Sequence, residues 1–199
     1  MTTDKPMPPQ TSLIRWRDQR PTPWKNGGGL TTELLSSPAG ASDFDWRLSI
    51  AEVATAGPFS AYPGIDRVIM LIEGEGMVLH VAGTQQRLVL REPFAFAGED
   101  QVNCELTAGP TRDLNVMTRR GRAQARVTVH EETYALPVAA DGARLLVIAL
   151  EDALGVRVAG GELLALSRYD VLSTTADVVA GPGAFVTARI EVDTGSLPG

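Results

Sequence analysis

Turn signals recur too often in this chain for long helices to form. "SSPAG", "AGPFSAYPG", "EGEG", "AGT", "TAGPT", "ADGA", "AGG" and "AGPGA" punctuate it roughly every 8 to 14 positions, between short apolar runs. Twenty glycines and 13 prolines supply them. The runs "RVIMLIEG", "MVLHVAG", "RVTVHEE", "RLLVIAL" and "FVTARIEV" are rich in Val, Ile and Leu, as strands are. In "DFDWRLSIAEV", Phe44, Trp46, Leu48 and Ile50 alternate with Asp45, Arg47, Ser49 and Ala51, the period of two that a half-buried strand requires. The expectation is an all-β sandwich or barrel. "LEDALG" is the one helix-like stretch, and it reads as a turn.

A weak echo sits at an offset of 77 residues, "LHVAG" with its following strand against "VRVAG" with "ELLALSRYDVLS". A duplicated β-unit produces such an echo, and so does chance similarity between Val-rich strands. With 199 residues, 44% of them hydrophobic, the chain can bury a large core. No apolar run reaches the roughly 20 residues that span a bilayer, so no membrane association is expected. "MTTDKPMPPQ" lacks the apolar centre of a secretion signal, and the single cysteine, Cys104, excludes an internal disulfide. A cytoplasmic location is expected.

Formal charge is −6, which opposes nonspecific binding to nucleic acid. The densest basic cluster, "TRRGRAQAR", has no interleaved aromatics for base stacking and reads as a solvated connection. Two histidines, His80 and His130, stand fifty positions apart, with no H-x-H, H-E-x-x-H or Cys/His cluster. No metal site and no cofactor is expected. No G-x-S-x-G elbow occurs and no catalytic residue can be assigned.

"PTPWKNGGGLTTEL" holds the most unusual loop. Its lysine precedes the glycines, so it is no Walker-type phosphate loop. Asn26-Gly27 is a strong hairpin signal. Consecutive glycines, Gly27 and Gly28, also allow backbone N–H groups to approach an anion, with Lys25 adding charge. Both readings stand. Arg47 and Ser49 occupy the polar face of their strand, which either meets solvent or lines a barrel mouth. "GPFSAYPGIDR" encloses Ser60 between two Gly/Pro corners and ends on Asp66-Arg67. In "RDLNVMTRR", Asp113 and Asn115 share a face. If that face is interior they need partners, because an unpaired buried polar group costs roughly 1–3 kcal/mol.

The blocks "PWKNGGGLTTEL", "DFDWRLSIAEVATAGPFSAYPGIDRVIMLIEGEGMVL" and "FAGEDQVNCELTAGPTRDLNVMTRR" resemble the signature segments of the HutD/Ves family, over about residues 13–120. The resemblance implies a double cupin-type β-barrel, a bicupin, in one compact chain. It implies an N-terminal cupin unit at 12–125 carrying the ligand pocket. A degenerate, structural unit follows at 126–195, with strands open to exchange between the two. Ordinary cupins hold a metal through H-x-H…E…H, whereas "MVLHV" offers one histidine.

The implied role is accessory or regulatory, in histidine utilisation, with a small carboxylated metabolite such as formylglutamate or formiminoglutamate as ligand. In that setting Arg47 and Lys25 neutralise a carboxylate, and Asn26, Ser49 and Asn115 hydrogen-bond an amide or formyl group. Asp66 and Asp113 orient the arginines, Gly27 and Gly28 donate backbone N–H groups, and Ser60 and Arg67 stand at the mouth. Two alternatives remain at this point. One is a metal-independent isomerase or hydrolase using Asp66, Asp113 or His80. The other is a protein–protein module contacting its partner through residues 57–67. A homodimer through sheet edges is left open.

Overall fold

A computed structural model describes residues 10–138 and 143–193. The leading residues 1–9, the first three residues of the "ADGA" turn (140–142) and the end of the expected second unit lie outside the described residues.

The chain opens with β1 (Thr11–Ile14), a 3-10 turn at Trp16–Asp18, β2 (Thr22–Pro23) and β3 (Gly29–Ser37). Next come β4 (Trp46–Val53), β5 (Gly57–Pro58), β6 (Ile65–Glu73), β7 (Met77–Val81) and β8 (Thr84–Leu88). After them run β9 (Phe94–Ala97), β10 (Val102–Leu106), β11 (Thr111–Arg119), β12 (Ala123–His130) and β13 (Tyr134–Leu136). The chain closes with β14 (Arg144–Ala149), β15 (Leu154–Val158), β16 (Leu163–Leu166), β17 (Val171–Thr174), β18 (Val178–Ala180) and β19 (Phe185–Val192). "LEDALG" is a turn leading into β15. No helix among the described residues is long and apolar enough to cross a membrane.

These strands form four antiparallel sheets. A six-stranded sheet (β2-β3-β4-β11-β6-β9) faces a four-stranded one (β5-β10-β7-β8). Between them lie Val53, Ile69, Leu71, Phe96, Met77, Leu79, Val102 and Cys104. A five-stranded sheet (β1-β17-β14-β19-β12) faces a second four-stranded one (β13-β18-β15-β16). Its interior is filled by aliphatic side chains and Phe185, among them Leu145, Val147, Val156, Leu166 and Leu172.

The two large sheets then pack back to back. Trp46, Leu48, Ile50, Met70, Leu114 and Val116 from one meet Leu146, Ile148, Val171, Val186 and Ile190 from the other. Both large sheets are therefore buried on two faces, which explains the near-continuous apolar runs in β6 and β14. The first strand does not stay with its sequence neighbours: β1 pairs with β17 in the five-stranded sheet. The expected division at residue 125 falls inside β12, whose eight residues all pair with β19.

Phe44 departs from the expected alternation. It precedes β4 and packs with Ile65 and Met117 on the opposite side from Trp46, Leu48 and Ile50. The basic cluster spans the end of β11, a three-residue connection and the start of β12. Arg119, Arg120 and Arg122 bridge β11 and β12 and pair with Asp43, Asp45, Asp66 and Glu99. Such exposed pairs contribute little stability each.

Candidate functional site

The polar residues singled out in the sequence lie on the inner face of the six-stranded sheet, and register decides their placement. Arg47 on β4 is opposite Met117 on β11, which is opposite Arg67 on β6. The next rung inward carries Ser49, Asn115 and Ile69, and the one beyond carries Ala51, Asp113 and Leu71. On β3, Glu33 and Thr31 continue these last two rungs. Because the side-chain period is two, all these inward groups share one face. The arginines lie two strands apart, so their backbones are about 10 Å from each other.

This face borders a cavity of about 730 Å³. Arg47, Arg67, Ser49, Asp113, Asn115 and Met117 line it from the sheet, with Thr31 and Glu33. Phe59, Ser60 and Tyr62 line it from the segment before β6, and Trp24, Lys25 and Asn26 from the glycine loop.

Neither inward arginine has a carboxylate ion-pair partner among the described residues. Arg47 donates from Nη2 to the Met117 sulfur at 3.0 Å and lies over the rings of Phe44 (4.7 Å) and Tyr62 (5.2 Å). Arg67 donates from Nη2 to Asn115 Oδ1 at 2.8 Å and sits over Phe96, Tyr62 and Phe59. Aromatic faces attract a guanidinium without neutralising it. The Nε groups of both arginines are buried and unpartnered. Burial lowers Arg67 to about 10, so it remains a cation at neutral pH.

Asn115 passes the contact onward, donating from Nδ2 to Asp113 Oδ1. Asp113 is fully buried, and burial pushes its carboxyl up to about 7, against the Arg67 charge and the Asn115 hydrogen bond. Cys104, on the facing sheet, has its thiol pushed up to about 12 by burial, then by the charges of Asp113 and Glu105. At neutral pH the thiol therefore stays protonated, its less reactive form.

Three sequence expectations need correction. Asp66 does not orient the arginines: it neighbours Arg67 on β6, so it points to the other face, where it pairs with Arg120 at 2.8 Å. Gly27 and Gly28 do not offer free N–H donors. The Gly27 N–H is donated to Trp24 O at 3.0 Å and the Gly28 N–H to Asn26 Oδ1 at 3.0 Å. The run of glycines serves close packing instead. A Cβ at Gly29 would lie 2.4 Å from the Glu52 carbonyl and 3.2 Å from the Trp24 ring.

Asn115, expected to meet a ligand amide, spends its side chain on Arg67 and Asp113 and so acts as a spacer between them. Lys25, Asn26, Arg47, Ser49, Ser60, Arg67 and Asp113 do come to the one cavity. Met117 was missed, although alternation from Asp113 and Asn115 places it on the same face. Tyr62 and Glu33 were missed because a loop and a strand irregularity after Glu33 hide their direction.

A metal does not fit here. Among the described residues no three His, Cys, Asp or Glu side chains cluster to hold one. His80 is on β7 with its Nε2 3.0 Å from Glu105 Oε1, in a half-exposed pair away from the cavity lining.

The HutD family model matches residues 16–186, which covers most of the chain. The chain belongs to the HutD family. An uncharacterised 21.2 kDa protein of the hutC 3' region in Pseudomonas putida is 39% identical over 165 residues, 82% of this chain and 86% of that one. Protein Ves of Citrobacter koseri is 44% identical over 113 residues, 56% of this chain and 59% of its own length. The structure of HutD from Pseudomonas fluorescens SBW25, obtained in a formate condition, superposes with a TM-score of 0.80 at 34% identity, covering 92% of this chain and 99% of that one. The fold extends further. A cupin 2 conserved barrel domain protein from Leptotrichia buccalis matches at a TM-score of 0.57 with 8% identity, covering 91% of this chain and 96% of the other. The two sheet pairs of this HutD-family chain are a double-cupin arrangement.

Proposed function

We propose that this protein binds a small carboxylated metabolite in the cavity between Arg47 and Arg67, as an accessory or regulatory component of histidine utilisation. The observation that carries the reading is a pair of guanidiniums on one sheet face, held by a thioether, an amide and aromatic rings rather than by acids. Such cations are pre-positioned for a carboxylate from outside, which a guanidinium grips with two parallel hydrogen bonds. Lys25 and Arg20 at the rim add to the positive lining, against Glu33 and Asp113. The cavity volume suits one metabolite-sized acid.

The name of the Pseudomonas putida relative, which places it beside hutC, supports a tie to histidine utilisation. A formylated or formimino derivative of glutamate joins carboxylates to a group that Ser49 can meet, since Ser49 is buried on the same face. Titration calorimetry with N-formyl-L-glutamate tests this directly. A desolvated guanidinium–carboxylate contact is worth about 1.5–3 kcal/mol, so Arg47→Ala is expected to weaken binding about tenfold or more. Absence of binding heat for the wild-type protein overturns the ligand assignment.

One observation favours a second reading, a metal-independent isomerase or hydrolase. Asp113 is a buried carboxyl near neutrality at the cavity, a state suited to proton transfer. Incubating the protein with N-formyl-L-glutamate and following the acid by NMR separates the two: consumption favours the enzyme, and intact ligand with binding favours the binder.

A further inference from the structure

The cavity lining contains an acid that no ion pair neutralises among the described residues. Asp113 Oδ1 accepts from Asn115, and Oδ2, fully buried, has no hydrogen-bond partner among the described residues. Arg67 reaches Asp113 only through the Asn115 amide. The cation also keeps an unpartnered, buried Nε. Cation and anion thus face each other across a spacer, each with an unused polar atom.

We propose that Asp113 is the internal counterion of the empty site, and that it gives up its negative charge by taking a proton when an external carboxylate docks on Arg67. The proposal rests on the reading of the cavity as a carboxylate site. The proton comes from solvent and bonds to Oδ2; no other bond forms or breaks. Two carboxylates served by one guanidinium in a desolvated site cannot both stay ionised without cost. The incoming acid has Arg47 as a second cation on the same rung, whereas Asp113 lies two rungs deeper behind Asn115. Asp113 is therefore the group that protonates.

The neighbours of Asp113 point the same way. In register beside it, Ala51 and Leu71 are apolar. From β6 the facing charge is Arg67, and from β4 it is Arg47. From β10 it is Cys104, whose thiol stays neutral. From β3 Glu33 lines the same cavity and favours protonation, while Arg20 before β2 and Lys25 in the glycine loop also line it and Tyr62 stands between the arginines. Asp113 starts at about 7 in the empty site, so an added anion carries it upward across the neutral range. Affinity is then flat below about pH 7 and falls between the free and bound values, by up to about tenfold per pH unit. Asp113 acts through Asn115 on Arg67 and is a positioning residue.

Titration calorimetry with N-formyl-L-glutamate at about pH 8, in HEPES and in Tris, measures the proton count through their different ionisation heats. An uptake of about half to one proton per ligand is expected. Asp113→Asn is expected to abolish the buffer dependence and flatten the pH profile. The carboxyl carbon resonance of Asp113 in wild-type protein is expected to titrate near pH 7 alone and at higher pH with ligand, and it decides the matter if the variant fails to fold. Binding with no net proton uptake and an affinity flat with pH overturns the coupling and leaves the carboxylate reading standing. No binding at any pH overturns both.

Discussion

Arg47 shows how a single side chain can be held without being neutralised. Its position comes from strand alternation, its cage from Phe44 and Tyr62, and its one hydrogen bond from a sulfur that accepts weakly. Asp66 is the contrasting case. It is one residue from Arg67 in sequence, yet it sits on the outer surface with Arg120, so Asp66→Asn is expected to leave N-formyl-L-glutamate affinity within about twofold, as calorimetry reads it.

Asp113 also has a consequence for stability. Its folded value of about 7 lies above the ordinary 3.8, so folding favours the neutral form. The stability this group allows is present below about pH 4 and is lost as pH rises through 7. Asp113→Asn is therefore expected to raise Tm near pH 8, and by much less near pH 4. Thermal melts at the two pH values check it; an equal or reversed effect contradicts the assigned burial. The sequence exposed Asp113 and Asn115 as a pair on one face. It could not tell that the amide would be consumed between acid and guanidinium, because that depends on β6 lying beside β11.

Among the elements, β4 and β11 were legible because two-residue alternation survives in each. What alternation leaves open is which face is interior. "RVIMLIE" is apolar on both faces, since one meets the facing sheet and the other meets β14 and β19. The glycine loop was legible as a turn and misread as an anion nest. Its N–H groups close on Trp24 and Asn26, and Gly29 admits the Trp24 ring against the backbone. Gly29→Ala places a Cβ against the Glu52 carbonyl and is expected to cost about 2 kcal/mol or more with a changed tryptophan emission. Gly27→Ala meets open space and bears only the cost of a positive φ of 72°, about 1 kcal/mol. Denaturant melts of the two variants should rank in that order.

At the scale of the whole molecule, the echo at 77 residues corresponds to β7 and β15, each the third strand of its four-stranded sheet. Exchange of strands between the units was an expectation, but that β1 is the strand exchanged was not legible, because a four-residue run names no partner. The large sheets share one core through Leu48, Ile50, Ile148 and Val186. Ile148→Ala is accordingly expected to cost about 2–5 kcal/mol and to lower a single cooperative transition in calorimetry, with two separate transitions as the contrary result. The second sheet pair is packed with aliphatic groups and Phe185, and the cavity that the proposed ligand would enter borders the first.

The central claim is that an acid from outside completes the Arg47 and Arg67 cage. A crystal structure of the protein with N-formyl-L-glutamate tests it most directly. Carboxylate oxygens are expected about 3 Å from guanidinium nitrogens of both arginines, with Arg47 released from the Met117 sulfur. Ligand density elsewhere, with Arg47 still on Met117 and the cavity filled by solvent alone, contradicts it.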